Sequence, residues 1–149
     1  RIYAGQLAVL DKGPAADAIR RMAETELRHL RDFDRMMVER RVRPTALSPL
    51  WHVAGYALGA ATALMGPKAA MACTEAVEDV IVGHYARQET VLGADDPQLR
   101  GLIEGAREDE AEHARTALAS GARDTPCHEP LTAAIRAGTR LAIWLSERV

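Results

Sequence analysis

Apolar residues recur three and four apart through most of the chain, and no stretch alternates apolar and polar with period two. That pattern predicts helices and no sheet. Glycine, proline and aspartate punctuate the periodic stretches. Residues 1–10 read as the end of a helix, closed by Asp11-Lys12-Gly13-Pro14. Residues 15–42 form a long helix with Ile19, Met22, Leu30, Phe33, Met36 and Met37 near one face, and Arg43-Pro44 breaks it. Residues 49–66 are an uncharged, Ala- and Gly-rich segment. Residues 67–92 form a second long helix, stopped by Gly93-Ala94-Asp95-Asp96-Pro97. Residues 97–120 are a charged helix with Leu99, Leu102, Ile103 and Ala106 as its early apolar positions. Residues 121–130 read as a loop and 131–147 as a final amphipathic helix. Short connections between long helices imply antiparallel neighbours, so the expected fold is an all-α bundle.

A chain of 149 residues is the size of one domain and buries enough surface to need no disulfide staples. Hydrophobic residues at 48% exclude a disordered chain. The net charge of −2 supplies no basic field for nucleic acid. Two scattered cysteines, Cys73 and Cys127, make neither a disulfide framework nor a thiolate zinc site.

The chemistry lies in two matching clusters, Glu26-Leu27-Arg28-His29 and Glu110-Ala111-Glu112-His113. Spacing of three puts each Glu and His on one helix face. One carboxylate that bridges and one imidazole that terminates is what a single helix offers a metal. Dinuclear bundles use two such pairs, plus one Glu from each of two other helices. With 12 Glu and 5 His in the chain, chance supplies roughly 0.4 such pairs. The alternative for each is a solvated Glu–His pair. Glu78 adds weight, because Ile81, Val82 and Tyr85 follow it on its own face. A carboxylate in that setting is protonated, or it is bound to something cationic. Glu75 is its rival for the role, and a rim salt bridge is the alternative for both.

The lone Glu78 precedes Glu110 by 32 residues. The same step back from Glu26 falls before Arg1, so the expected single domain over 1–149 has the start of its first helix, and a fourth carboxylate, upstream. Four carboxylates and two neutral imidazoles balance two divalent ions. Iron, manganese and zinc all accept this donor set.

Several segments resemble the demethoxyubiquinone hydroxylases of coenzyme Q biosynthesis: Arg1-Ile2-Tyr3-Ala4-Gly5-Gln6, Arg41-Val42-Arg43-Pro44-Thr45, Pro49-Leu50-Trp51, Ala70-Met71-Ala72-Cys73-Thr74, His84-Tyr85 and Leu145-Ser146-Glu147-Arg148. The resemblance covers essentially the whole chain. It implies a ferritin-like four-helix bundle with additional membrane-contacting helices. It also implies a monooxygenase that hydroxylates the ring of a polyprenyl methoxy-benzoquinol with O2. Its ligands to two iron ions fall on Glu26, His29, Glu78, Glu110 and His113, with a further Glu from an Asp-His-Ala-Gly-Glu-type segment before Arg1. His84 and Tyr85 match residues near the family's site; packed helix positions are the other reading. The expected reductant is NADH or the quinol itself. Expected partners are the polyprenyl quinol, membrane lipid, a lipid-carrying accessory protein and a second copy of the chain.

Residues 44–67 contain no Asp, Glu, Lys or Arg. The segment is barely long enough to span a bilayer and only weakly hydrophobic. Lipid contact through Leu50, Trp51, Tyr56, Leu58 and Leu64 is the reading taken, with Arg40, Arg41 and Arg43 beside it for anionic headgroups. A plain core helix is the alternative. Gly55 and Gly59 form a Gly-x-x-x-Gly face that permits a close helix approach. The expected location is peripheral, on a bacterial cytoplasmic membrane or the matrix side of the mitochondrial inner membrane. Two other functions fit part of the pattern. A ferritin-like iron-binding or iron-oxidising protein without an organic substrate explains the ligands but not the uncharged segment. A membrane-associated helical scaffold would make both Glu–His pairs surface salt bridges.

Overall fold

A computed structural model describes all 149 residues. The order of elements is α1 (Ile2–Leu7), α2 (Pro14–Glu39), α3 (Ser48–Leu64), α4 (Pro67–Leu92), α5 (Pro97–Ala119), a short 3-10 turn (Ala122–Asp124) and α6 (His128–Ser146). There is no strand, as the periodicity predicts. Pro14, Pro67 and Pro97 each open a helix, where the missing N–H costs nothing. At the start of α5, Asp96 accepts from the Leu99 N–H at 3.0 Å and caps the helix.

Several details differ from the sequence reading. α2 stops at Glu39, three residues short of the expected end. Arg41 takes the left-handed conformation at φ 55. The Val42 and Arg41 N–H groups turn back to the Met37 and Val38 carbonyls, which closes the helix with a Schellman-type cap ahead of Pro44. The expected loop over 121–130 is shorter, because α6 already begins at His128. Pro130 sits in the first turn, where proline is tolerated. Leu30 is 54% exposed and does not share the core face with Ile19, Met22 and Met36.

The main core is built from small side chains: Ala18, Ala63, Ala70, Ala72, Ala117 and Ala122 surround Ile19, Met22, Met71 and Tyr3. Small residues let helix backbones pack closely, and the α1–α3 crossing is the extreme case. A Cβ on Gly59 would collide with the Ile2 carbonyl, and one on Gly5 would collide with the Tyr56 carbonyl. The expected Gly-x-x-x-Gly approach therefore faces α1. Gln6 is fully buried and donates from Nε2 to the Ala70 carbonyl at 2.9 Å, which ties α1 to α4. Trp51 Nε1 donates to Ser146 Oγ at 2.8 Å and joins α3 to α6. The result fixes α2, α4 and α5 around one interior point.

Candidate metal centre

Helix α2 contributes Glu26 and His29, α4 contributes Glu78, and α5 contributes Glu110 and His113. One ligand atom from each of Glu26, Glu78, Glu110 and His113 lies within 4.8 Å of the others. His29 joins them: its Nδ1 is 3.5 Å from Glu110 Oε1 and 3.8 Å from Glu26 Oε1. His113 Nδ1 lies 3.2 Å from Glu110 Oε2 and 3.7 Å from the same Glu26 oxygen. Both imidazoles thus reach one carboxylate oxygen from different helices. His29, Glu78, Glu110 and His113 are buried, while the Glu26 side chain is 38% exposed.

The electrostatics are those of carboxylates crowded into one buried space. Burial first, then the charge of Glu110, pushes Glu26 up to about 7. Burial, with Glu110 and Glu26 facing it, pushes Glu78 well above the usual carboxylate range. Burial works in the same direction on Glu110, but the nearness of His113, His29 and Glu78 outweighs it and draws it down to about 2. The Glu110 carboxylate, with Asp109 behind, raises His29 to about 9 against its partial burial. Two ligand-type atoms, Glu26 Oε1 and His29 Nδ1, are buried without a hydrogen-bond partner. Buried polar atoms are almost always satisfied, and a cation placed between them supplies what is lacking. Carboxylate and imidazole donors with no thiolate suit iron, manganese or zinc.

A cavity of about 200 Å³ opens onto Glu26, Glu78 and Glu110 and is walled by Ile2, Tyr3, Thr74, Val77, Ile81 and Tyr85. Of the two residues singled out near the site, Tyr85 lines this cavity and stacks on Phe33, with ring centroids 6.2 Å apart and an 11° interplanar angle. His84 does not. It faces a neighbouring cavity with Arg87 and Glu147, and burial lowers its pKa.

Glu75, the rival to Glu78, lies outside the cluster. It accepts from His128 Nε2 at 2.7 Å and from Arg136 at 3.4 Å, and Arg136 also bonds Asp79 at 2.8 Å. Two neighbours of the cluster were not singled out as functional from the sequence. The Tyr3 hydroxyl donates to Glu78 Oε1 at 2.5 Å, and Asp109 Oδ2 lies 2.9 Å from His29 Nε2. No local signal marks either residue, because each partner lies on a distant helix. Asp109 merely precedes a ligand candidate in sequence.

Leu50, Val53, Tyr56 and Leu64 of α3 are exposed. Trp51 is half-buried, and Leu58 packs against Cys73, Ala76 and Ile135. Arg40 is paired with Asp96, whereas Arg41 and Arg43 are exposed. No helix is long and apolar enough to cross a membrane.

Residues 1–146 match the family model described as Ubiquinone biosynthesis protein COQ7. A 3-demethoxyubiquinol 3-hydroxylase of Rhodospirillum rubrum is 53% identical over 150 residues, which cover 100% of this chain and 71% of the relative. The mitochondrial NADPH-dependent 3-demethoxyubiquinone 3-hydroxylase of Homo sapiens is 47% identical over 153 residues, covering 100% of this chain and 70% of the relative. The mitochondrial 5-demethoxyubiquinone hydroxylase of Saccharomyces cerevisiae is 38% identical over 165 residues, covering 99% and 71%.

Proposed function

Because this chain belongs to the COQ7 family of ubiquinone biosynthesis proteins, we propose that it hydroxylates the ring of a demethoxyubiquinol with O2. The observation that carries the reading is the enclosed cluster of three carboxylates and two imidazoles with two ligand atoms left unpaired. In this reading Glu26, His29, Glu78, Glu110 and His113 hold two iron ions. Bound ferrous iron supplies electrons and open coordination positions for O2.

The chain's own residues do the rest. Val77, Ile81 and Tyr85 present a largely apolar wall on which an aromatic ring can lie flat. Tyr3 keeps its proton, because burial and the Glu78 charge raise it well above its ordinary value. It holds that proton toward Glu78 Oε1. Several relatives are named as NADPH-dependent hydroxylases, which supports a reduced nicotinamide over the quinol as reductant. The polyprenyl tail keeps the substrate in a bilayer. The exposed Leu50, Val53, Tyr56 and Leu64 beside Arg41 and Arg43 support a peripheral membrane position. That membrane is a bacterial cytoplasmic one or the mitochondrial inner membrane on its matrix side; relatives named as mitochondrial support the second. A lipid-carrying accessory protein and a second copy of the chain complete the proposed partners.

Iron analysis together with turnover of a short-tailed demethoxyubiquinol tests the proposal. Iron bound with hydroxylated product is the expected result. Iron bound without product points to the ferritin-like alternative. A chain that binds no metal would be the helical scaffold.

A further inference from the structure

We propose that Asp109 is a positioning residue that aims His29 as a metal ligand, so that the His29 end of the cluster holds a divalent cation more tightly than the His113 end. The proposal rests on the metal-holding reading above and goes beyond it. Asp109 Oδ2 lies 2.9 Å from His29 Nε2. A carboxylate only accepts hydrogen bonds, so Nε2 carries the hydrogen, and the neutral ring, the form that binds metal, offers its lone pair at Nδ1. That Nδ1 is buried, has no hydrogen-bond partner and faces the Glu110 and Glu26 carboxylates at 3.5 and 3.8 Å. An acceptor behind an imidazole fixes its tautomer and ring orientation and raises its basicity as a ligand.

His113 is set differently. Its approaches to Glu110 and Glu26, at 3.2 and 3.7 Å, are both made through Nδ1, the side that faces the cluster. Its ring meets the edge of Tyr3, with centroids 6.2 Å apart, and has no carboxylate behind it. The two Glu-x-x-His pairs are equivalent in sequence and inequivalent in their surroundings. Asp109 is not itself among the converging ligand atoms. Its side chain is 45% exposed and lies 3.9 Å from Arg28, so removing it leaves no cavity in the core. Neighbouring positions on α5 thus serve different ends: Glu110 points into the cluster while Asp109 reaches across to α2.

Titration of the full chain with Co(II), read by visible absorption, tests the assignment, with circular dichroism as the check on folding. Asp109→Ala is expected to weaken the tighter Co(II) ion by about 10–100-fold, and His29→Ala by at least as much. His113→Ala is expected to weaken that ion less than His29→Ala does. Asp109→Asn keeps an acceptor but not the charge and falls between wild type and Asp109→Ala. Should the alanine variant fail to fold, Asp109→Asn decides by the same criterion. Wild-type affinity in the Asp109 variants overturns the proposal, as does a loss of the tighter ion in His113→Ala alone. A wild-type chain that binds no Co(II) overturns the metal reading beneath it as well.

Discussion

Glu78 is enclosed on α4 with Glu26 and Glu110 facing it, and its hydrogen-bond donor is the Tyr3 hydroxyl. Charge there without metal is opposed by burial and by two like charges. Glu78→Gln removes the charge and keeps the shape. The metal-free variant should be more stable in urea, on the order of 1 kcal/mol, and should bind divalent metal more weakly. The same physics sets a pH dependence. Glu26, raised from 4.5 to about 7, and His29, raised from 6.5 to about 9, hold protons in the folded chain that the unfolded chain has released. Their contribution to stability is therefore lost as pH rises through those windows. Glu110, lowered to about 2, contributes in the opposite sense, but only where pH falls below 4.5. The melting temperature of metal-free protein should therefore fall from about pH 5 to about pH 9. Saturating divalent metal should flatten or reverse that slope, because the ligands bind metal only when deprotonated. A rising slope without metal would mean that the cluster is charged and solvated.

Helix α3 is held by backbone contact with α1, so its two faces have separate tests. Gly59→Val drives a side chain into the Ile2 carbonyl and should destabilise the fold by about 1–3 kcal/mol. Gly138→Ala on α6 is the control. Nothing lies near its added carbon, and it should stabilise by about 0.4–1 kcal/mol. On the outer face, Leu50→Glu with Leu64→Glu should abolish flotation with anionic liposomes while leaving the circular dichroism spectrum unchanged. Both residues are exposed, at 55% and 76%. Leu58 is a poorer probe because it is packed against α4 and α6. Unchanged flotation would remove lipid contact from the account of this helix.

At the scale of the whole molecule, the cluster is a cross-link among α2, α4 and α5, and a bound cation favours the folded chain alone. Free metal at 100 times its dissociation constant should add about 2.7 kcal/mol, read as a rise in melting temperature that a chelator reverses. Glu75 with His128 and Arg136 pins α6 to α4 away from the cluster. Glu75→Gln should therefore weaken the fold without changing metal affinity. A loss of affinity in that variant would return Glu75 to the ligand set.

Local rules act within about one helical turn, and what they govern was legible along the chain. Proline at Pro14, Pro67 and Pro97 sets the helix starts. Spacing of three puts Glu26 with His29 and Glu110 with His113 on single faces. Packing between helices decided the rest. It chose Glu78 over Glu75, because the rotation of α4 turns one toward α2 and α5 and the other toward α6. It left Leu30 in solvent and drew Leu58 inward. It brought Tyr3 to Glu78 across 75 positions and Asp109 to His29 across 80. Periodicity tells which residues share a face. Which neighbour that face meets follows from how closely small residues such as Gly5 and Gly59 let the backbones approach.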